Sequence, residues 1–174
     1  MQGQHGEAPL TDRGRRQAQE AADALARAGL RSPVRLYSSD LVRAAQTAGI
    51  IAPRLGVDPL LTPLLREQAL GQMEGRLARD LRAEPVPTDL DVSEVAWGGG
   101  ETIEQVWHRV ARFTESHLAN PAEDDVVVVS HGILLQVFVA YLDGRSHREV
   151  DWELGLRNGG VVARPLPAFP GRRL

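Results

Sequence analysis

Three residues in this chain have the types and settings that phosphate chemistry asks for: Arg43, Glu67 and His131. The pattern starts a helix just before Arg43 and directly after a short strand. A guanidinium there reaches the strand end, where its planar donors and the helix amides favour an anion. His131 follows the most hydrophobic stretch and precedes a helix, which puts an imidazole at the carboxyl edge of a sheet, where α/β proteins collect ligands. Glu67 lies in Leu64-Leu65-Arg66-Glu67, where a polar pair breaks an apolar stretch, and a carboxyl partly withdrawn from water there is a candidate proton donor. Each also has a plainer reading: a solvated arginine, a structural histidine, a surface ion pair between Arg66 and Glu67.

The elements that must position these groups alternate in type. Thr11 is placed to cap a helix whose Ala18, Ala21, Ala22 and Leu25 follow the helical period up to Gly29. Val34 to Tyr37 reads as a strand, and Ser38-Ser39-Asp40 offers cap chemistry for a helix running to about Leu55 and ending before Gly56. From Leu60 to Gly75 the pattern is irregular, with prolines at 59 and 63, and a short helix is expected over Arg76 to Arg82. Gly98-Gly99-Gly100 reads as a turn. Thr102 and Gln105 then resemble a capping box for a helix that ends near Asn120-Pro121.

Val126 to Val129 is an unbroken β-branched run, as in a strand buried on both faces of a parallel sheet. Ile133 to Leu142 follows as an apolar helix. Asn158-Gly159 lies between Glu153 to Arg157 and Val161 to Arg164, a hairpin-like signal. The fold class is therefore α/β, with a mainly parallel sheet between helical layers.

With 174 residues, 43% of them hydrophobic and 25% charged, the chain is sized and composed for one globular domain. It is expected over residues 1–164, with 165–174 a loose tail. The net charge of -3 provides no basic field for nucleic acid or an anionic membrane, so any anion site must be local. The absence of cysteine excludes a thiol nucleophile, a disulfide framework and a zinc ribbon. His5, His108, His117 and His147 have no metal-ligand spacing, and neither metal nor cofactor is expected. No secretory signal or membrane-length apolar run is present, which favours a cytoplasmic location.

Several segments, taken in order, resemble the histidine phosphatase superfamily with its phosphoglycerate-mutase-like fold. They are Pro9-Leu10-Thr11 with Gly14; Tyr37-Ser38-Ser39-Asp40-Leu41 with Arg43-Ala44 and Gln46-Thr47-Ala48; Leu65-Arg66-Glu67 with Gly71 and Glu74-Gly75; Gly99-Gly100-Glu101-Thr102; Val128-Val129-Ser130-His131-Gly132; and Asn158-Gly159. The resemblance implies a three-layer α/β/α fold and roles for three residues. Arg43 clamps the phosphoryl group, Glu67 protonates the leaving oxygen, and His131 donates to the phosphoryl oxygens as charge develops. It also implies substrate contacts from Gln2, Gly3, Gln4 and Gly132, and a small phosphorylated substrate.

The departure from the family is at the N-terminus. The family's nucleophile lies in an Arg-His-Gly motif at the end of a first apolar strand. Here Gln4-His5-Gly6 imitates the motif with Gln in place of Arg, and only Met1 to Gln4 precede His5. The stretch Gln2 to Thr11 aligns better with the family's loop after the nucleophile. The expectation is thus a late start that omits the first strand, or else a naturally nucleophile-free relative. On that basis the intact gene product is a phosphomonoesterase working through phosphohistidine, and this chain alone is inactive. A noncatalytic phospho-ligand binder and a mutase are the alternatives, and the oligomeric state stays open, a homodimer included.

Overall fold

The computed structural model describes residues 2–5, 7–77, 86–118 and 125–166. Helix α1, Asp12–Arg27, begins where the Thr11 hydroxyl accepts from the Gly14 amide and buries Ala18, Ala21, Ala22 and Leu25. Strand β1, Arg35–Ser39, leads into helix α2, Val42–Leu55, which Gly56 closes in the left-handed conformation. The expected cap at Ser38 to Asp40 has shifted. Leu41 is the cap residue and makes no side-chain cap bond, because the Asp40 carboxylate is engaged by Arg66 at 2.7 and 2.5 Å.

Pro59–Thr62 forms strand β2, where the sequence pattern predicted irregular chain. The two prolines that obscured it are tolerable for position-specific reasons. Pro59 is the first residue of an edge strand and Pro63 lies just beyond its end. Helix α3, Ile103–His117, starts with the predicted Thr102–Gln105 capping box, and strand β3, Val126–Val129, runs into helix α4, Gly132–Leu142.

The three strands are parallel, in the order β2-β1-β3, with Leu36 opposite Pro59 on one side and Val127 on the other. Alternation along β1 sends Leu36 into a cluster with α1 and α2, and Tyr37 into a cluster with α3 and α4. Helices thus cover both faces of the sheet. Val127 and Val129 sit in the first cluster while Val126 and Val128 pack on the second, so β3 is covered on both faces as its composition predicted. It is not central, however: among the described residues its ladder is with β1 alone.

The hairpin predicted around Asn158-Gly159 does not form. The turn is present, with the Gly160 amide on the Arg157 carbonyl at 2.8 Å, but neither flanking run is a strand and Val161 and Val162 are exposed. Residues with strand propensity need a neighbouring backbone to pair with, and here the turn packs on Gln17 of α1. Of the helix expected at Arg76 to Arg82, residues 76 and 77 are not helical and the rest lies outside the described residues. The stop at Asn120-Pro121 and residues 167–174 lie outside them too, while Leu166 packs against the α3/α4 cluster.

Candidate active site

Parallel strands deliver their C-terminal residues to one edge of the sheet, and there the chain gathers its polar groups. His131 is the cap residue of α4, immediately past β3, and is 8% exposed. Its Nε2 lies 2.9 Å from the hydroxyl of Ser39, the last residue of β1. Arg43 stands in the first turn of α2, four residues past Ser39. Arg43 and His131 are close enough that the guanidinium acts on the imidazole: desolvation first, then the charges of Arg43 and Arg109, hold the His131 pKa down to about 3, with Asp40 opposing. The imidazole is therefore neutral at physiological pH.

One guanidinium nitrogen of Arg43, Nη2, donates to the Gly3 carbonyl at 2.8 Å. The other, Nη1, is buried without a partner. Burial lowers the guanidinium's pKa from its usual value, against the attraction of Glu67 and Glu74. A buried donor left unmatched beside a neutral imidazole is an arrangement that an oxyanion would complete.

The Glu67 carboxylate occupies the N-terminus of α4, accepting from the amides of Ile133 and Leu134 at 3.3 and 3.1 Å, and from Gln68 at 3.0 Å. These are the free first-turn amides that the helix dipole makes attractive to negative charge. Arg66, which the sequence offered as a surface partner for Glu67, pairs with Asp40 instead. Gly132 opens α4 with the Glu67 carboxylate across from it.

The N-terminal segment closes over this edge. Gln4 donates from Nε2 to the Glu67 carbonyl and to Glu101, and its amide donates to Glu74. Gly3 has φ of 51° and is packed so tightly on the Glu74 carboxylate that a side chain would collide with it. Gln2 is exposed. Gln4, Gly3 and Gly132 are thus brought into the neighbourhood of Arg43, Glu67 and His131.

Sequence reasoning missed two groups. Arg109, on α3, pairs with both oxygens of Glu101 and donates to the carbonyls of Leu64, Arg66 and Glu67 at 2.6 to 3.2 Å. Its signal was hidden in a helix whose polar positions all look alike. Ser39 was read as cap material, although it is fully buried. The other described histidines are elsewhere: His5 is exposed, His117 stacks on Phe113, and His147 meets Ser93 and Glu104. Among the described residues no group of three His, Cys, Asp or Glu could hold a metal, and no helix is long and apolar enough to cross a membrane.

The chain is similar to several known proteins. The model of the histidine phosphatase superfamily, branch 1, matches residues 1–163. Phosphoglycerate mutase-like protein 4 of Arabidopsis thaliana is 36% identical over 138 residues, 74% of this chain and 57% of that protein. A probable phosphoglycerate mutase of Proteus mirabilis is 34% identical over 139 residues, 78% of this chain. The chain spans 63% of that relative's length. A mycobacterial glucosyl-3-phosphoglycerate phosphatase superposes with a TM-score of 0.69 at 31% identity, covering 85% of this chain and 73% of the other. A match over nearly the whole length leads to one conclusion: the chain belongs to the histidine phosphatase superfamily, branch 1.

Proposed function

We propose that the intact protein is a phosphomonoester hydrolase that passes its phosphoryl group through phosphohistidine, and that Arg43, Glu67 and His131 form its site. The observation that carries this reading is the buried, unpartnered Nη1 of Arg43, on a guanidinium whose charge acts on the neutral imidazole of His131. Phosphoryl transfer needs chiefly fixed donors around the equatorial oxygens and an acid at the leaving group. Arg43 supplies charge-assisted donors and His131 an N–H donor. Glu67 gives its proton to the leaving oxygen. Gln4, Gly3, Gln2 and Gly132 line the substrate's approach.

In the first step an imidazole nitrogen attacks phosphorus, the bond from phosphorus to the ester oxygen breaks, and the alcohol leaves with the Glu67 proton. Water then attacks the phosphohistidine and gives a proton to the Glu67 carboxylate, the phosphorus–nitrogen bond breaks, and inorganic phosphate departs. Among the described residues His108, His117 and His147 contact Glu104, Phe113 and Ser93, His5 is exposed, and Nε2 of His131 faces Ser39. The attacking imidazole is accordingly assigned to a strand outside these 174 residues, seated along the side of β3 that has no ladder among the described residues. The chain alone then binds a phosphorylated ligand without turning it over, the second reading favoured by the same observation.

Assay of p-nitrophenyl phosphate hydrolysis by this chain, beside a version extended upstream, tests the proposal. Turnover by the extended form alone supports it. Turnover by the 174-residue chain that is abolished in His5→Ala would assign the nucleophile to His5 instead.

A further inference from the structure

The hydroxyl of Ser39 has few options. The residue is fully buried at the end of β1. Its oxygen accepts from the Leu41 amide at 3.2 Å and meets His131 Nε2 at 2.9 Å. The neighbouring Ser38 hydroxyl donates to the Ser39 carbonyl, and no hydrogen bond joins the two side chains. One lone pair accepts from Leu41, but the hydroxyl's single proton still needs an acceptor, and the one that the described residues give it is Nε2. If Nε2 were protonated, that buried hydroxyl proton would have no acceptor, at a cost of the kind that folded proteins avoid.

We propose that Ser39 is a positioning residue: its hydroxyl donates to Nε2 of His131 and so fixes the imidazole's proton on Nδ1, which becomes the donor toward a phosphoryl oxygen. The inference rests on the reading of His131 as part of the phosphoryl site. The neutral state of the ring supports it, since only a neutral imidazole has an acceptor nitrogen to offer Ser39. The other nitrogen, Nδ1, has no hydrogen bond among the described residues. Arg43 and Arg109 face the ring as cations and Asp40 as an anion. In this arrangement β1 and β3 act together: a hydroxyl at the end of one strand sets the tautomer of an imidazole at the end of the next.

The test is the tautomer itself. Long-range 1H–15N correlation spectra of the 174-residue chain distinguish protonated from bare ring nitrogens, and His131→Gln assigns the signal. The expected result in the unaltered chain is Nδ1 protonated and Nε2 bare at neutral pH. In Ser39→Ala the His131 signal shifts toward the Nε2-protonated form and affinity for inorganic phosphate falls about threefold to tenfold. Ser39→Thr, which keeps the hydroxyl, restores both. A protonated Nε2 in the unaltered chain, or an unchanged tautomer in a folded Ser39→Ala, overturns the proposal. If the tautomer is as stated but saturating phosphate leaves His131 unshifted, Ser39's control of the tautomer stands. The reading of His131 as a phosphoryl donor then falls, and with it the donor role proposed for Nδ1.

Discussion

Arg109 holds both oxygens of Glu101, at 3.0 and 2.8 Å, and with its remaining donors it gathers the carbonyls of Leu64, Arg66 and Glu67. One guanidinium thus ties α3 to the segment that carries Glu67. The same Glu101 carboxylate receives Gln4 and the Ala69 amide, so the N-terminal segment and the acid's own loop hang on one ion pair. Glu67 reaches the α4 amides because its backbone is anchored from behind.

Arg109→Ala should therefore lower stability by about 3 kcal/mol, since it strands a largely buried carboxylate and three carbonyls. Urea denaturation followed by circular dichroism reads this directly. Arg109→Lys should recover only part of the loss, because an ammonium cannot reproduce the fork.

Arg43→Ala should behave differently. Only the Nη2 bond to the Gly3 carbonyl is lost, since Nη1 has no partner, so stability should fall by no more than about 1.5 kcal/mol. Affinity for phosphate or vanadate should fall tenfold or more, as expected for loss of a charge-assisted pair of roughly 1.5 to 3 kcal/mol. Isothermal titration beside thermal unfolding separates the two effects.

The pH dependence of stability carries the signature of His131. Its folded pKa lies at about 3 against 6.5 for the free side chain, so between those values the unfolded chain binds the extra proton. Stability should then drop as pH falls through that window, by up to about 1.4 kcal/mol per unit from this residue. Above pH 6.5 the contribution is constant. His131→Gln should flatten the slope in a series of denaturation curves between pH 4 and 7.

Gly71 tests the packing behind the site. It has φ of 51°, and a Cβ there would run into the Gly98 carbonyl. Gly71→Ala should cost more than the roughly 1 to 2 kcal/mol of a left-handed alanine, because the obstacle is backbone and cannot swing aside. Gly99→Ala, with φ of 72° but open space around its Cβ position, should show the conformational cost alone. The difference between their unfolding free energies measures the collision.

What was legible in the sequence follows from the range of each signal. Helices α1 and α3 announce themselves through period and cap chemistry within one or two turns, as Thr11 and Thr102 show. β3 is equally plain in Val126 to Val129. β2 was lost because Pro59 and Pro63 are breakers in general but harmless at an edge. The hairpin at Asn158-Gly159 failed for the opposite reason: local propensity was present and the neighbouring strand was not. At the candidate site, Arg43 and His131 could be found because strand-to-helix junctions are visible in a sequence. Ser39 and Arg109 could not, since their importance lies in partners 92 positions and up to 45 positions away.

The central claim is that Arg43 and His131 grip one tetrahedral anion between them. A crystal structure of this chain with vanadate tests it most directly. Oxyanion oxygens are expected within hydrogen-bond distance of Arg43 Nη1 and His131 Nδ1, at the carboxyl edge of β1 and β3. Vanadate bound elsewhere, with Nη1 still unpartnered, would contradict it.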